Sequence, residues 1–290
     1  MNMAFKIQHL AISLSTLLLI TACGGGSDNK DAGTNPDPAT GSSVTGKTLA
    51  SVAEASGICY SVDNDALFVV SDRGIIYKLD MQGKILDQHT HKSAKGKKYD
   101  YEGVACDDVN GNVIVAVEGK DNLHTIEQSD LSALLKNSAG KPTGDIVRPD
   151  DNTLFKDKKG KTGIEGIAIN EGTVYVSNQS LNSYPEQDSS FVFTVDDSFS
   201  DAPVVDQIID HGKKDIVGLS FHQGDLFMLS AIDHTLIRYG IKQSKVISTK
   251  SLPSGVDAEG VAFDNAGNIY FADDKNGKVT KYKASDFGIN

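Results

Sequence analysis

The sequence predicts an all-β chain, a five-bladed β-propeller whose N-terminal strand closes the last blade. Three observations carry that prediction. A glycine-anchored unit recurs five times, each glycine is followed in the same order by a second and a third apolar strand, and one leftover strand at the start of the folded region has no other place to pair.

The first 22 residues read as a lipoprotein signal peptide. Met1 to Gln8 carry Lys6 as their one charge, residues 10–20 are an apolar run of eleven, and Thr21-Ala22 supplies small residues before Cys23. That run is too short to span a bilayer, which takes about 20 residues. Leu19-Ile20-Thr21-Ala22-Cys23 resembles a bacterial lipobox, which implies cleavage before Cys23 and lipidation of its sulfur and of the new amino terminus. The alternative is an ordinary export signal beside a chance cysteine. Several acyl chains on one residue anchor stably where one does not, so the expected location is the cell envelope, with the membrane as a partner. Gly24, not Asp, follows Cys23; in a host with two membranes the lipoprotein sorting pattern then implies the outer one. Residues 23–47 are rich in Gly, Ser, Asn, Asp, Thr and Pro and read as a flexible tether. The propeller is expected over 48–290.

The five repeats open at Ser56-Gly57-Ile58-Cys59-Tyr60, Glu102-Gly103-Val104-Ala105-Cys106, Glu165-Gly166-Ile167-Ala168-Ile169, Val217-Gly218-Leu219-Ser220-Phe221 and Glu259-Gly260-Val261-Ala262-Phe263. Second strands follow each glycine by eight to ten residues, at 67–70, 113–116, 174–177, 226–229 and 269–272. Third strands follow at 75–79, 123–127, 191–195, 236–239 and 279–282, rich in β-branched and aromatic residues. Turns such as Asn110-Gly111-Asn112 have hairpin chemistry. Units of 42 to 63 residues bury both faces only against the next unit, and closing the ring leaves few free edges. No fourth strand fits after Tyr282, whereas 48–53 precedes the first repeat unpaired. A β-sandwich would not explain a fivefold glycine-anchored repeat. The longest interval, between the second and third repeats, holds 130–136, where Leu131, Leu134 and Leu135 behind Ser129 predict one short helix. The rest of it, 138–163, reads as a polar surface loop.

Composition narrows the function. With 28 Lys+Arg against 39 Asp+Glu, the formal charge is −11. The basic cluster Lys95, Lys97 and Lys98 with Lys92 nearby is too short to serve a polyanion, so no nucleic-acid partner is expected. Cys59 and Cys106 lie two and three residues after their glycines, on opposite faces of adjacent blades, which aims them at each other. Export permits a disulfide, and buried packing is the other reading. No nucleophile elbow, zinc-protease helix or phosphate loop occurs, and Ser138-Ala139-Gly140-Lys141 lacks the strand-to-helix setting that would make its Ser-x-x-Lys spacing catalytic. No catalytic residue is assigned.

Antiparallel strands place the start of each first strand and the end of each second strand on one rim. Glu102, Glu165 and Glu259 precede three of the glycines, and Asp72, Glu118, Asn178 and Asp273 stand at second-strand ends. All converge on one mouth of the central channel. Like charges sharing a site raise one another's pKa unless a cation neutralises them. An oxygen-only donor set suits calcium, which takes about six to eight oxygens in loose geometry, and not zinc. The expected ion is therefore calcium, with Glu102, Glu165 and Glu259 as leading ligands; solvated or ion-paired glutamates are the alternative.

The Glu-Gly-Ile/Val-Ala units, the blade from Ser56-Gly57-Ile58 to Val70-Ser71-Asp72 and the closing Glu259-Gly260-Val261-Ala262-Phe263-Asp264 resemble the SdiA-regulated (YjiK-like) family over about residues 48–283. That resemblance implies a five-bladed propeller, distantly similar to NHL-repeat propellers, with a family calcium site and no established activity. Glu-Gly-Ile-Ala is also found in phytase-like esterase and lactonase propellers. The fourth repeat departs, with Val217 and Ala231 where acidic groups would stand. Two functions follow: a lipid-anchored, calcium-binding module that binds or scaffolds a protein or small-molecule ligand, or a metal-dependent hydrolase of the lactonase or phytase-like esterase type. A pocket above the ion would favour the hydrolase, and a plugged channel the binding module.

Overall fold

Each glycine-anchored repeat folds into one antiparallel sheet, and the first strand of every sheet lines the centre of a ring. A computed structural model describes residues 44–118, 122–138, 140–142, 146, 163–186, 189–196 and 203–290. Residues 1–43, which hold the expected signal peptide, Cys23 and most of the expected tether, lie outside the described residues, as does most of the expected loop over 138–163. The folded unit is Ser43–Asn290.

Strand β1 (Lys47–Ser51) belongs to the last blade. Blade 1 is β2 (Ala55–Ser61), β3 (Ala66–Ser71), β4 (Ile75–Asp80) and β5 (Ile85–Thr90); blade 2 is β6 (Tyr101–Asp107), β7 (Asn112–Val117) and β8 (Asn122–Glu127). Blade 3 holds β9 (Gly163–Asn170), β10 (Thr173–Gln179), β12 (Ser189–Asp196) and β13 (Val204–Ile209), with the two-residue β11 (Asn182–Ser183) parallel to β12. Blade 4 is β14 (Ile216–His222), β15 (Asp225–Ser230), β16 (Thr235–Gly240) and β17 (Lys245–Ser251). Blade 5 is β18 (Ala258–Phe263), β19 (Asn268–Asp273) and β20 (Lys278–Lys283), and β1 completes it by pairing antiparallel with β20. The fold starts slightly ahead of the expected residue 48: Gly46 already lies against the Tyr282 ring, and Val44 packs on the core between blades 4 and 5.

The recurrent glycine has a steric reason. A Cβ on Gly57 would stand 2.6 Å from the Glu102 carbonyl oxygen, on Gly103 2.3 Å from that of Glu165, and on Gly166 2.8 Å from the Leu219 amide. On Gly218 it would be 2.2 Å from the Glu259 carbonyl oxygen, and on Gly260 2.8 Å from the Ile58 amide, which closes the circle. Each inner strand thus rests backbone to backbone on the next, and any side chain at these positions would force the blades apart. The channel left inside has a free volume of about 10 Å³ between the glycines and Ile58, Val104, Ile167, Leu219 and Val261. That is room for about one water molecule.

Five separate hydrophobic cores fill the blade interfaces. Tyr101, Val104 and Phe68 pack between blades 1 and 2, Ile114, Ile164 and Phe191 between 2 and 3, and Leu219, Met228 and Tyr175 between 3 and 4. Phe227, Phe271 and Tyr282 fill the fourth interface, and Leu67, Val69 and Tyr270 the fifth. A disulfide joins Cys59 of β2 to Cys106 of β6, with Cα atoms 5.7 Å apart, across the interface between blades 1 and 2.

The short helix expected over 130–136 is not formed. Among the described residues blade 2 has three strands, so the outer edge of β8 offers backbone groups, and this segment takes them: the Leu135 amide donates to the Thr125 carbonyl at 2.8 Å, the Glu127 amide donates to the Ala133 carbonyl, and Leu134 bridges Ile126. Asp130 caps the turn instead of a helix, accepting from the Ser132 amide and hydroxyl. Edge pairing outweighed the weak helical spacing of three leucines.

Candidate metal centre at the acidic mouth

The residue before each inner glycine lies on a register irregularity. Pairing skips from Tyr101 to Val104 in β6, from Ala258 to Gly260 in β18 and from Ile216 to Gly218 in β14, and the β9–β10 ladder shifts between Val176 and Asn178 opposite Glu165-Gly166. A bulge frees one residue from the ladder and re-aims its side chain. In blades 2, 3 and 5 that residue is Glu102, Glu165 or Glu259.

Glu102 forms the tightest group with Asp100 and Glu118: one oxygen from each carboxylate lies within 4.8 Å of the others. The backbone sets this up, because the Glu118 amide donates to the Asp100 carbonyl at 3.0 Å where β7 ends beside the start of β6. Glu165, 8% exposed, is hydrogen-bonded to the Glu102 carboxyl. Burial, and then the charges of Glu102, Glu118 and Glu259, push the Glu165 pKa well up. Burial together with Asp100, Glu259, Glu118 and Asp72 lifts Glu102 to about 8. Glu259 also rises to about 8, from burial and the charges of Asp274, Asp72 and Asp273. Asp72 rises to about 7 through burial and then the neighbouring Glu54. Arg73 makes its hydrogen bonds to Glu54 and reaches the rim only through its charge, which eases Asp274 in part.

Two further residues expected at the rim, Asn178 and Asp273, also make local hydrogen bonds. Asn178 donates to the Ser189 carbonyl at 2.9 Å and so ties β10 to β12. Asp273 caps a turn, accepting from the Asn276 amide through one oxygen and from the Asp257 amide through the other. Val217 of blade 4 is buried in apolar packing. Asp100 is the residue that sequence reasoning missed. It stands two positions before Glu102, on the same side of an extended segment, so the alternation Asp100-Tyr101-Glu102 was the available signal.

An oxygen-only donor set of this kind fits a hard divalent cation. Two buried carboxylate oxygens of the rim, Oδ1 of Asp72 and Oδ1 of Asp274, have no hydrogen-bond partner among the described residues, as expected of groups whose counter-charge is an ion. Beside the group opens a cavity of about 500 Å³, lined by Asp72, Ser93, Lys97, Lys98, Tyr99, Asp100, Val117 and Glu118.

Five antiparallel blades around a narrow channel with a polyacidic mouth define a five-bladed β-propeller. Residues 50–195, half of the chain, match the family model "Phytase-like: Esterase-like activity of phytase", and the chain belongs to that family. Among solved structures, glutaminyl cyclase from Myxococcus xanthus is similar with a TM-score of 0.55 at 10% identity, over 83% of this chain and 93% of that one. Streptogramin B lyase has a TM-score of 0.48 at 11% identity over 82% and 96%, and a nidogen/laminin complex 0.45 at 11% over 72% and 84%. At 10% identity the likeness to the glutaminyl cyclase speaks to the fold alone. No curated protein matches the sequence.

Proposed function

We propose that this chain is a calcium-dependent hydrolase acting on small esters, held at the bacterial cell envelope by lipid on Cys23. One observation carries the reading: the cavity of about 500 Å³ shares Asp100 and Glu118 with the tightest carboxylate group of the mouth. The family match is consistent with it. Asp100, Glu102 and Glu118 would hold the ion, with Glu165 and Glu259 behind them. When bound, calcium supplies a Lewis acid for an ester oxygen or lowers the pKa of a water. Glu165 holds Glu102 in place through their hydrogen bond. Asp72, which lines the cavity outside the tightest group, is the carboxylate positioned to take a proton from an attacking water.

The test is turnover of p-nitrophenyl esters of phosphate and of short carboxylic acids, in calcium and in chelator, by wild type and by Glu102→Gln and Glu118→Gln. Calcium-dependent turnover that falls at least tenfold in both variants supports the reading. Absence of turnover with calcium binding retained favours the second reading, a calcium-binding or scaffolding module of the SdiA-regulated type. The observation on that side is the channel of about 10 Å³, which is closed to any ligand. Anchoring is tested separately: Cys23→Ser should move the protein from the membrane to the soluble fraction.

A further inference from the structure

The cavity beside the acidic mouth has a second wall of opposite charge. Residues 92–98 form a tight hairpin between blades 1 and 2, with Lys92 bridging Lys98, the Ser93 amide donating to the Lys97 carbonyl at 2.7 Å and Gly96 turning the chain at φ 75°. Lys97 and Lys98 from this hairpin line the cavity together with Asp72, Asp100 and Glu118. The side chains of both lysines are exposed, and among the described residues neither ammonium takes part in an ion pair or a hydrogen bond. Lys97 eases the burial-raised pKa of Asp100 and Lys98 adds to the lowering of Glu54, both by charge at a distance, so each ammonium keeps its hydrogen-bond donors for an anion in the cavity. Between the walls stands Tyr99, whose ring is fixed by stacking on Tyr101 at 5.9 Å and by an edge contact with His124 at 4.5 Å. Gly74 keeps the hairpin close, since a Cβ there would stand 2.8 Å from the Tyr99 carbonyl oxygen.

We infer that Lys97, Lys98 and Tyr99 form a subsite for a small organic oxyanion, phosphate or carboxylate, that carries a flat or apolar body. The anionic group lies between the two ammonium groups and the cation held by Asp100, Glu102 and Glu118, and the body rests against the fixed Tyr99 ring and Val117. This inference rests on the calcium reading for the far wall and on the lysines alone for the near one, so the two can fail separately. It makes Lys97 and Lys98 specificity residues: they select charge and take no part in bond breaking.

The experiment is titration calorimetry of the full-length protein in detergent, with calcium chloride first and then phenyl phosphate, benzoate or neutral benzyl alcohol. Wild type, Lys97→Ala/Lys98→Ala and Glu118→Gln are compared, with the unfolding midpoint of each as a fold control. Wild type should take up phenyl phosphate or benzoate and not benzyl alcohol, and the better of the two anions names the class. The double lysine variant should keep its midpoint, bind calcium at least as tightly as wild type and lose at least tenfold in anion affinity. Unchanged anion affinity in that variant, or equal uptake of the neutral alcohol, overturns the inference and leaves the calcium site standing. If calcium does not bind wild type but the lysine-dependent anion uptake persists, the subsite stands and the metal reading falls.

Discussion

Glu102, Glu165 and Glu259 reach the mouth because each stands on a bulge directly before a glycine that has no room for a Cβ. The backbone contact and the functional side chain are adjacent by construction, since the close approach of the inner strands converges the residues beside the glycines. Gly103→Ala tests this at its tightest documented acidic blade, where the new methyl would press on the Glu165 carbonyl oxygen at 2.3 Å. Overpacking of this kind costs about 1–3 kcal/mol, and chemical denaturation should show a loss in that range together with weakened calcium binding. Gly172→Ala is the comparison. Its Cβ meets nothing within 4 Å, so only its φ of 81° is penalised, and calcium binding should be unaffected. The residue before each glycine was legible in the sequence because it repeats. Asp100 was not, because it belongs to one blade only and obeys no repeat.

Strands β2 and β3 and their counterparts show in the sequence because they are buried on both faces and read as apolar runs with regular spacing, whereas β4 and β20 show by mixing buried with half-buried positions. The fourth strands are different. Strand β5 is exposed at its first four positions and β17 alternates between exposed and half-buried, so neither carries a strong apolar signal. The last blade's fourth strand was legible from pairing logic, since β1 had no other partner. The segment 130–136 was misread because the open outer edge of β8, which pairs with no fourth strand among the described residues, is a property of the assembled sheet. The disulfide acts at this same scale, tying inner strand to inner strand across a separation of 47 residues. Closing a loop of that length in the unfolded chain is worth about 4 kcal/mol in the chain-entropy model. Cys59→Ala/Cys106→Ala should therefore unfold at lower denaturant, with a loss of about 2–4 kcal/mol. A loss below about 0.5 kcal/mol would mean that the native ring already supplies that constraint.

Over the whole molecule, an acidic chain has gathered many of its carboxylates at one end of a rigid ring, and the electrostatic cost of doing so gives a definite pH response. Glu102 and Glu259 carry pKa values pushed up to about 8, against about 4.5 when exposed in the unfolded chain. The folded state therefore holds more protons than the unfolded state between those values. Stability from these groups is fully present below about pH 4.5 and is lost as pH rises towards 8. Without calcium, the unfolding midpoint should fall across that window. With calcium the ionised carboxylates acquire their counter-charge, and the fall should flatten or reverse. Below about pH 4 the trend is opposed by Asp264, held below the usual carboxylate range by hydrogen bonds from Asn268 and Tyr270 that outweigh its burial.

The central claim is that the mouth is an ion site, and it is tested most directly by thermal unfolding at pH 8 in calcium and in chelator, for wild type and Glu102→Gln. Wild type should gain about 2.7 kcal/mol when calcium stands a hundredfold above its dissociation constant. Glu102→Gln should unfold at a higher temperature than wild type in chelator, because one repelling charge is gone, and should gain little from calcium. A wild-type midpoint that is the same in calcium and in chelator would contradict the account.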